Sequence, residues 1–143
     1  MPMLGMAEGD DPSPIPEVKA AYAAYIEAFI AGDLERIADC FAYPMTLKTR
    51  VLSIIPVSKT LEDRGELIEE FKTIRGDIEE GYSYSKVERI DVSPSSVDGY
   101  AADVYFTRYN QADEVIYQGR SIYSFSELNG AWRIFAMMRA ERE

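Results

Sequence analysis

Hydrophobic residues recur at helical spacing in the first part of the chain and alternate at every second position in the second half. Apolar positions three or four apart predict a first helix from Pro16 or Glu17 to Gly32. Asp33 suits the N-cap of a short second helix. A third apolar stripe, over 67–78, predicts another helix. The N-terminal part of the domain is therefore expected to be mainly helical.

Extended segments follow once Pro44 stops helix propagation. Two short strands are predicted over 45–50 and 51–56. Period-two alternation then predicts four longer strands, over 82–93, 97–110, 114–127 and 131–139. Asn129-Gly130 is a strong signal for a tight hairpin between the last two. Helices that precede a meander of strands indicate an α+β fold rather than alternating α/β units.

The turns of the meander predict which residues face one another. With tight turns, Asp103 lies between Lys86 and Arg120, and Ile122 lies opposite Met137. Alternation then sorts the sheet into an apolar, tyrosine-bearing face that suits packing under helices and a second face with no helix left to cover it. The second face carries Tyr84, Lys86, Asp103, Tyr105, Arg120, Ile122, Phe135 and Met137.

A large, partly apolar sheet face without a cover predicts a homodimer through that convex face. Lys86, Asp103 and Arg120 are interpreted as an ionic ladder of this interface or of the fold. The alternative is a buried acid in a pocket, which a register error of one residue would favour.

Length and composition narrow the possible functions. The chain has 143 residues, of which 47% are hydrophobic, so one folded domain over 17–143 is expected after a flexible acidic, proline-rich lead-in over 1–16. A net charge of −10 without a basic stripe argues against nucleic acid. The chain lacks histidine and has one cysteine, so neither a metal nor a cofactor is expected. No apolar run is long enough for a membrane span, and no signal peptide is visible, which predicts a cytoplasmic protein.

Three segments together resemble one known superfamily. They are YIEAFIAGDLERIADCFA, the Tyr43-Pro44 step that follows it, and YQGRSIYSFSELNGAWRIFAMM near the end. They resemble the nuclear transport factor 2-like superfamily over about residues 17–140. The resemblance implies a cone-shaped, cystatin-like fold with three N-terminal helices on a curved, mostly antiparallel sheet. It also implies a ligand pocket between the helices and the concave face, and a dimer surface on the other face. Ketosteroid isomerase, SnoaL-like polyketide cyclases and scytalone dehydratase share this fold, which hosts several functions.

The ketosteroid isomerase site carries over only in part. By this resemblance, Tyr25 falls at the oxyanion-hole tyrosine, where a core tyrosine is equally suitable. Thr49 falls near the general base and lacks the required basicity at neutral pH. Tyr123 falls near the protonated aspartate, and its hydroxyl donates a hydrogen bond without being a carboxylic acid.

A ligand pocket is therefore predicted, and its predicted residues are Tyr25, Tyr43, Thr49, Tyr100, Tyr123, Trp132 and Met138. Ordinary core or turn packing is the alternative for the tyrosines and for Trp132. The expected function is that of a SnoaL-like domain that holds a small organic ligand, as a cofactor-independent isomerase or lyase with Tyr25 as its weak catalytic candidate. A non-catalytic binding protein and a dimeric association module are the alternatives.

Overall fold

A computed structural model describes residues 13–51, 55–78, 81–95 and 99–142, without the side chains of 49–51, 55 and 56. The predicted lead-in over 1–16 thus lies largely outside the described residues. Three helices and six strands follow in the order α1 Ile15–Ala31, α2 Leu34–Asp39, β1 Phe41–Val51, β2 Ile55–Leu61, α3 Arg64–Gly76, β3 Tyr84–Pro94, β4 Gly99–Tyr109, β5 Val115–Leu128 and β6 Ala131–Ala140. The chain has the predicted α+β fold.

The six strands form one curved sheet in the order β2-β1-β6-β5-β4-β3. All neighbouring strands are antiparallel except β1 and β6, which run parallel. The helices cover the concave face, where a single core joins α1 residues such as Val18 and Phe29 to sheet residues such as Val104 and Phe125. Within the described residues, no helix covers the opposite, convex face. Among the described residues, no helix has the length and apolar character that a membrane span needs.

Local sequence signals explain where the helices begin and end. Gly32 adopts a left-handed conformation with φ 70° and ends α1. The Asp33 side chain accepts from the Arg36 N–H and caps α2, as predicted. Asp63 caps α3 in the same way through the Glu66 N–H.

The first two strands and the third helix differ from their predicted bounds. β1 begins at Phe41 and continues through Pro44, so it is longer than expected. β2 extends to Leu61, and α3 ends at Gly76. Pairing of β2 along β1, from Ile55 opposite Val51 to Leu61 opposite Met45, sets these bounds.

The predicted opposition of Lys86, Asp103 and Arg120 is wrong. Lys86 lies opposite Thr107, and Asp103 lies opposite Ile122. The connections are longer than tight turns. The side chain of Asn110, for example, accepts from the N–H groups of Ala112 and Glu114 and closes a five-residue connection. Because the strand registers at these residues shift by an even number, each keeps its predicted face.

The predicted sides of Met137 and Met138 are also wrong. The Asn129-Gly130 hairpin forms as predicted, with Leu128 opposite Ala131. A β-bulge then places one extra residue in β6, Phe135, so that Tyr123 lies opposite Met137 and Ile122 lies opposite Met138. Met137 therefore faces the core, whereas Met138 is 39% exposed on the convex face.

Gly119 allows two aromatic rings to close over β5. It lies opposite Phe106, and a Cβ atom at Gly119 would stand 2.5 Å from Phe106 Cζ and 2.6 Å from Tyr117 Cε2. Both distances are shorter than van der Waals contact, so a side chain larger than hydrogen would displace the rings.

We expect Gly119→Ala to lower the free energy of unfolding by about 1–3 kcal/mol, since the added methyl group overpacks the site. Gly76→Ala is the matched control, because nothing lies within 4 Å of its added Cβ and alanine suits a helix better. Urea unfolding at equal protein concentration measures both. Equal stability of the two variants would contradict the predicted crowding.

Candidate functional site

A cavity of about 210 Å³ opens between the helices and the concave face of the sheet. Residues of α1 and α3 form one side, and residues of five strands form the other. Its wall consists of Tyr22, Tyr25, Ile26, Phe29, Leu47, Lys48, Glu70, Phe71, Ile74, Ser85, Phe106, Arg108, Tyr117, Arg120, Ser121, Tyr123, Met137 and Arg139. This wall combines an aromatic interior with several charged residues.

Three buried tyrosines form the inner part of the wall. The ring centroids of Tyr22 and Tyr25 lie 5.1 and 5.5 Å from that of Tyr123, and 5.8 Å from each other. Tyr25 also makes an edge contact with Phe71 across to α3. The two α1 tyrosines are one turn apart, so helical periodicity turns both toward the sheet. The three rings form a tyrosine cluster (Tyr22, Tyr25 and Tyr123).

Burial keeps the hydroxyls of the tyrosine cluster protonated. Burial raises the pKa of Tyr22 and Tyr25 well above 10.0. Burial also raises the pKa of Tyr123, although the neighbouring hydroxyls of Tyr25, Ser121 and Tyr22 partly offset it. These groups are therefore hydrogen-bond donors rather than bases.

The Tyr22 hydroxyl is the exceptional member of the cluster. It is buried, and among the described residues it forms no hydrogen bond of normal geometry. Tyr123 is near enough to raise the Tyr22 pKa further, but the two oxygens lack the distance or alignment of a regular hydrogen bond. A buried donor without an acceptor costs about 1–3 kcal/mol, so an acceptor in the cavity would be favourable there.

Arg108 brings a positive charge beside the tyrosines. Its guanidinium carbon lies 4.9 Å from the Tyr117 ring centroid and 5.1 Å from that of Phe106. Its charge acts to lower the pKa of each member of the tyrosine cluster, against the larger effect of burial. Phe106 and Tyr117 are the rings that close over Gly119, so this glycine indirectly positions the guanidinium.

Acidic groups are scarce on this wall. Glu70 of α3 is its one carboxylate among the described residues, and it binds Lys59 Nζ at 2.8 Å. No group of three or more metal-ligating side chains occurs in the described parts of the chain.

The structure brings only part of the predicted pocket set to the cavity. Tyr25 and Tyr123 line it. The Tyr43 hydroxyl instead donates to the Ala38 carbonyl at 2.9 Å, and burial raises its pKa to about 12. Tyr100 and Trp132 pack edge to face at 5.7 Å, outside the described wall.

The remaining members of the predicted pocket set are Met138 and Thr49. Met138 does not line the cavity and Met137 does, because the β6 bulge exchanges their sides. Thr49 lies in β1 opposite Val57, and its side chain is outside the described residues.

Sequence reasoning missed Arg108, Tyr22 and Arg139 at the cavity. Arg108 continues the even-numbered series of β4 that includes Val104 and Phe106, so strand alternation was a sufficient signal. Tyr22 was assigned only to the apolar stripe of α1. Arg139 faces the cavity because the bulge in β6 reverses the alternation of the residues after it. No sequence signal predicted this bulge.

The convex face carries a charged and aromatic layer. Arg120 donates to both carboxylate oxygens of Asp103, at 2.9 and 2.7 Å, and this hydrogen bonding lowers the Asp103 pKa. The guanidinium carbons of Arg89, Arg120 and Arg142 lie 5.1–5.4 Å from the centroid of Tyr105. Arg89 lies opposite Tyr105, and Asp91 lies opposite Asp103, where Lys86 was predicted.

Lys86 and Tyr84 lie at the end of the same face, away from the Asp103–Arg120 pair. Lys86 Nζ is 5.6 Å from the Tyr109 ring centroid. Tyr84 stacks on that ring at 5.0 Å and donates to Asp113 at 2.6 Å. Arg120 and Asp103 therefore form an ion pair without Lys86.

Solved structures with the same fold cover nearly the whole chain. A protein of unknown function with a cystatin-like fold from Nostoc punctiforme PCC 73102 is 14% identical, with a TM-score of 0.69, over 95% of this chain and 93% of that one. An NTF2-like protein of unknown function from Pseudomonas putida KT2440 is 11% identical, with a TM-score of 0.68, over 91% and 89%. At these identities the likeness establishes the fold alone.

A third similar structure is that of a variant of Rv3472, a protein of unknown function from Mycobacterium tuberculosis. It is 15% identical, with a TM-score of 0.69, over 98% of this chain and 79% of that one. No curated protein sequence matches the chain significantly. The family model described as NTF2-like protein (DUF6841) matches residues 16–142. The helices, the curved sheet and this match agree, and the chain belongs to the NTF2-like protein (DUF6841) family.

Proposed function

We propose that the protein binds a small organic molecule with a single ring in the cavity beside the tyrosine cluster. The observation that carries the proposal is the buried Tyr22 hydroxyl, which needs a hydrogen-bond acceptor. The size of the cavity supports a single ring. At about 210 Å³ it is larger than the ~150 Å³ cavity that holds benzene, and smaller than the ~300 Å³ at which sites for drug-sized ligands begin.

The walls suit the two ends of such a molecule. Apolar side chains such as Ile26, Leu47 and Met137 would pack against the ring. The Tyr22 hydroxyl would donate to a carbonyl or hydroxyl oxygen. Because the tyrosine cluster keeps its protons, this donor is available throughout the physiological pH range.

We propose binding rather than isomerase or lyase chemistry. General acid–base catalysis needs a group that exchanges a proton within reach of the substrate. On the described wall the carboxylate of Glu70 is held by Lys59, and the tyrosine pKa values are raised away from neutrality. The cavity is better suited to hold a molecule than to move its protons.

The raised tyrosine pKa values predict a loss of stability at high pH. An unfolded tyrosine loses its proton near pH 10, whereas the folded tyrosine cluster keeps its protons to higher pH. The stability from each group is complete below pH 10 and falls as pH rises toward the folded pKa, by up to about 1.4 kcal/mol per pH unit. Urea unfolding between pH 8 and 11 measures this loss.

Tyr123→Phe is the matched comparison for that titration. The variant lacks one titrating group, so its stability should fall less steeply above pH 10 than that of the wild type. The same slope in both proteins would show that Tyr123 ionises normally and is not sheltered from water.

Acetophenone and ethylbenzene test the binding proposal, because they have similar shapes and only acetophenone carries an acceptor oxygen. We expect acetophenone to bind more tightly, and Tyr22→Phe to remove an advantage on the order of 3- to 10-fold, the value of one hydrogen bond. Ile26→Trp should fill the cavity and abolish binding of both compounds. Ile30→Trp, on the same helix but outside the wall, is the control. Titration followed by NMR measures each affinity, and the failure of both compounds to bind the wild type would refute the proposal.

We also propose that the convex face forms a twofold homodimer. On this face Ile122 lies beside the exposed Met138 across β5 and β6, with Tyr105 and its arginines nearby. An apolar strip rimmed by ion pairs is the usual composition of a self-associating surface. A twofold axis would bring the same patch of both copies together, so the two apolar strips would cover each other.

Ile122→Asp should convert the dimer to a monomer, because the new carboxylate would be buried without a cation of its own. Leu128→Asp is the control, since Leu128 is 50% exposed at the β5–β6 hairpin. Light scattering coupled to gel filtration gives the masses. A monomeric wild type, or a dimer that persists in Ile122→Asp, would count against this interface.

A further inference from the structure

The charge of the cavity wall is opposite to that of the whole chain. Four cationic residues contribute to the described wall, namely Lys48, Arg108, Arg120 and Arg139, against the single carboxylate of Glu70. The chain as a whole has a net charge of −10. An acidic protein that gathers basic groups around one small cavity creates a local site for an anion.

Two of these charged groups form ion pairs with residues outside the cavity wall. Glu70 binds Lys59, and Arg120 binds Asp103 on the convex face. Lys48 lies opposite Met138, so its side chain is on the convex side of β1. Arg139 is exposed on the cavity side of β6, and it brings a positive charge to the opening of the cavity.

Arg108 is the innermost of the cationic groups. The rings of Phe106 and Tyr117 restrict its guanidinium, so little side-chain freedom is left to lose when a ligand binds. Arg108 shares the cavity wall with the tyrosine cluster, whose hydroxyls are the donors proposed to hold the ligand's oxygen. A planar guanidinium next to tyrosine donors is complementary to a carboxylate.

Arg139 adds a second positive charge at the opening. It lies opposite Ser121 on the cavity side of β6, and Ser121 is itself part of the wall. A cation at the opening attracts an anion before it reaches Arg108 and increases its rate of association at low salt.

We infer that the ligand of this cavity is an anion, a single-ring carboxylate whose carboxylate group binds Arg108 and whose approach is favoured by Arg139. This inference rests on the proposed binding function and adds the charge and chemical class of the ligand. The carboxylate is preferred over a phosphate because it carries one charge, and the strongly acidic chain repels a dianion more than a monoanion.

Benzoate and benzamide test the inference, since they have nearly the same shape and differ in charge. We expect wild-type protein to bind benzoate at least about tenfold more tightly than benzamide. Arg108→Gln should remove this preference while the benzamide affinity stays within about twofold, which also shows that the variant keeps its cavity. Arg139→Gln should slow benzoate association and flatten its dependence on salt. Arg36→Gln, which removes an equal charge from a residue outside the wall, should change neither.

The outcomes separate the inference from the function on which it rests. Equal affinity for benzoate and benzamide, or an equal loss of both in Arg108→Gln, would overturn the carboxylate assignment and leave the binding function standing. Inorganic phosphate that competes with benzoate at equal concentration would overturn the preference for a carboxylate. If benzoate, benzamide and acetophenone all fail to bind, the inference and the binding function are both wrong.

Discussion

Aromatic contacts between α1 and the concave sheet face are the interaction on which the rest of the structure depends. Tyr22, Tyr25 and Phe29 extend from one side of α1 and meet Tyr123 from β5 and Phe71 from α3. Rings of this size bury large areas but do not fill a curved surface completely, so their packing holds the helix at a distance that leaves a cavity. The same side chains thus stabilise the fold and line the cavity.

The free-energy cost of this aromatic packing comes from the buried tyrosine hydroxyls. A tyrosine core must accommodate hydroxyls, and three of them share one small volume away from water. The Tyr22 hydroxyl has no regular acceptor among the described residues. A leucine or phenylalanine at position 22 would avoid this cost. The buried Tyr22 hydroxyl is therefore a local cost that an acceptor in the cavity would offset.

Residue periodicity was sufficient to predict the fold and one half of the site. Helical spacing in α1 placed Tyr25 toward the sheet, and alternation in β5 placed Tyr123 on the same concave face. The longer β4–β5 connection and an extra residue near the start of β5 together misaligned Asp103 and Arg120 by two positions, an error that leaves both residues on their predicted face. Patterns of period two tolerate such shifts, which is why the sheet faces were predicted better than the strand pairs.

The bulge in β6 could not be predicted, because no residue type marks it. It determines which side chains of β6 contribute to the cavity wall. One residue, Phe135, decides that Met137 and Arg139 point toward the cavity and that Met138 points away. The deletion of a single residue there would exchange the two sides while leaving every later amino acid unchanged. Relatives with identical residues at the end of β6 would then have cavities of different charge. Length variation at this one position would thus change which side chains face the cavity without any substitution in its wall.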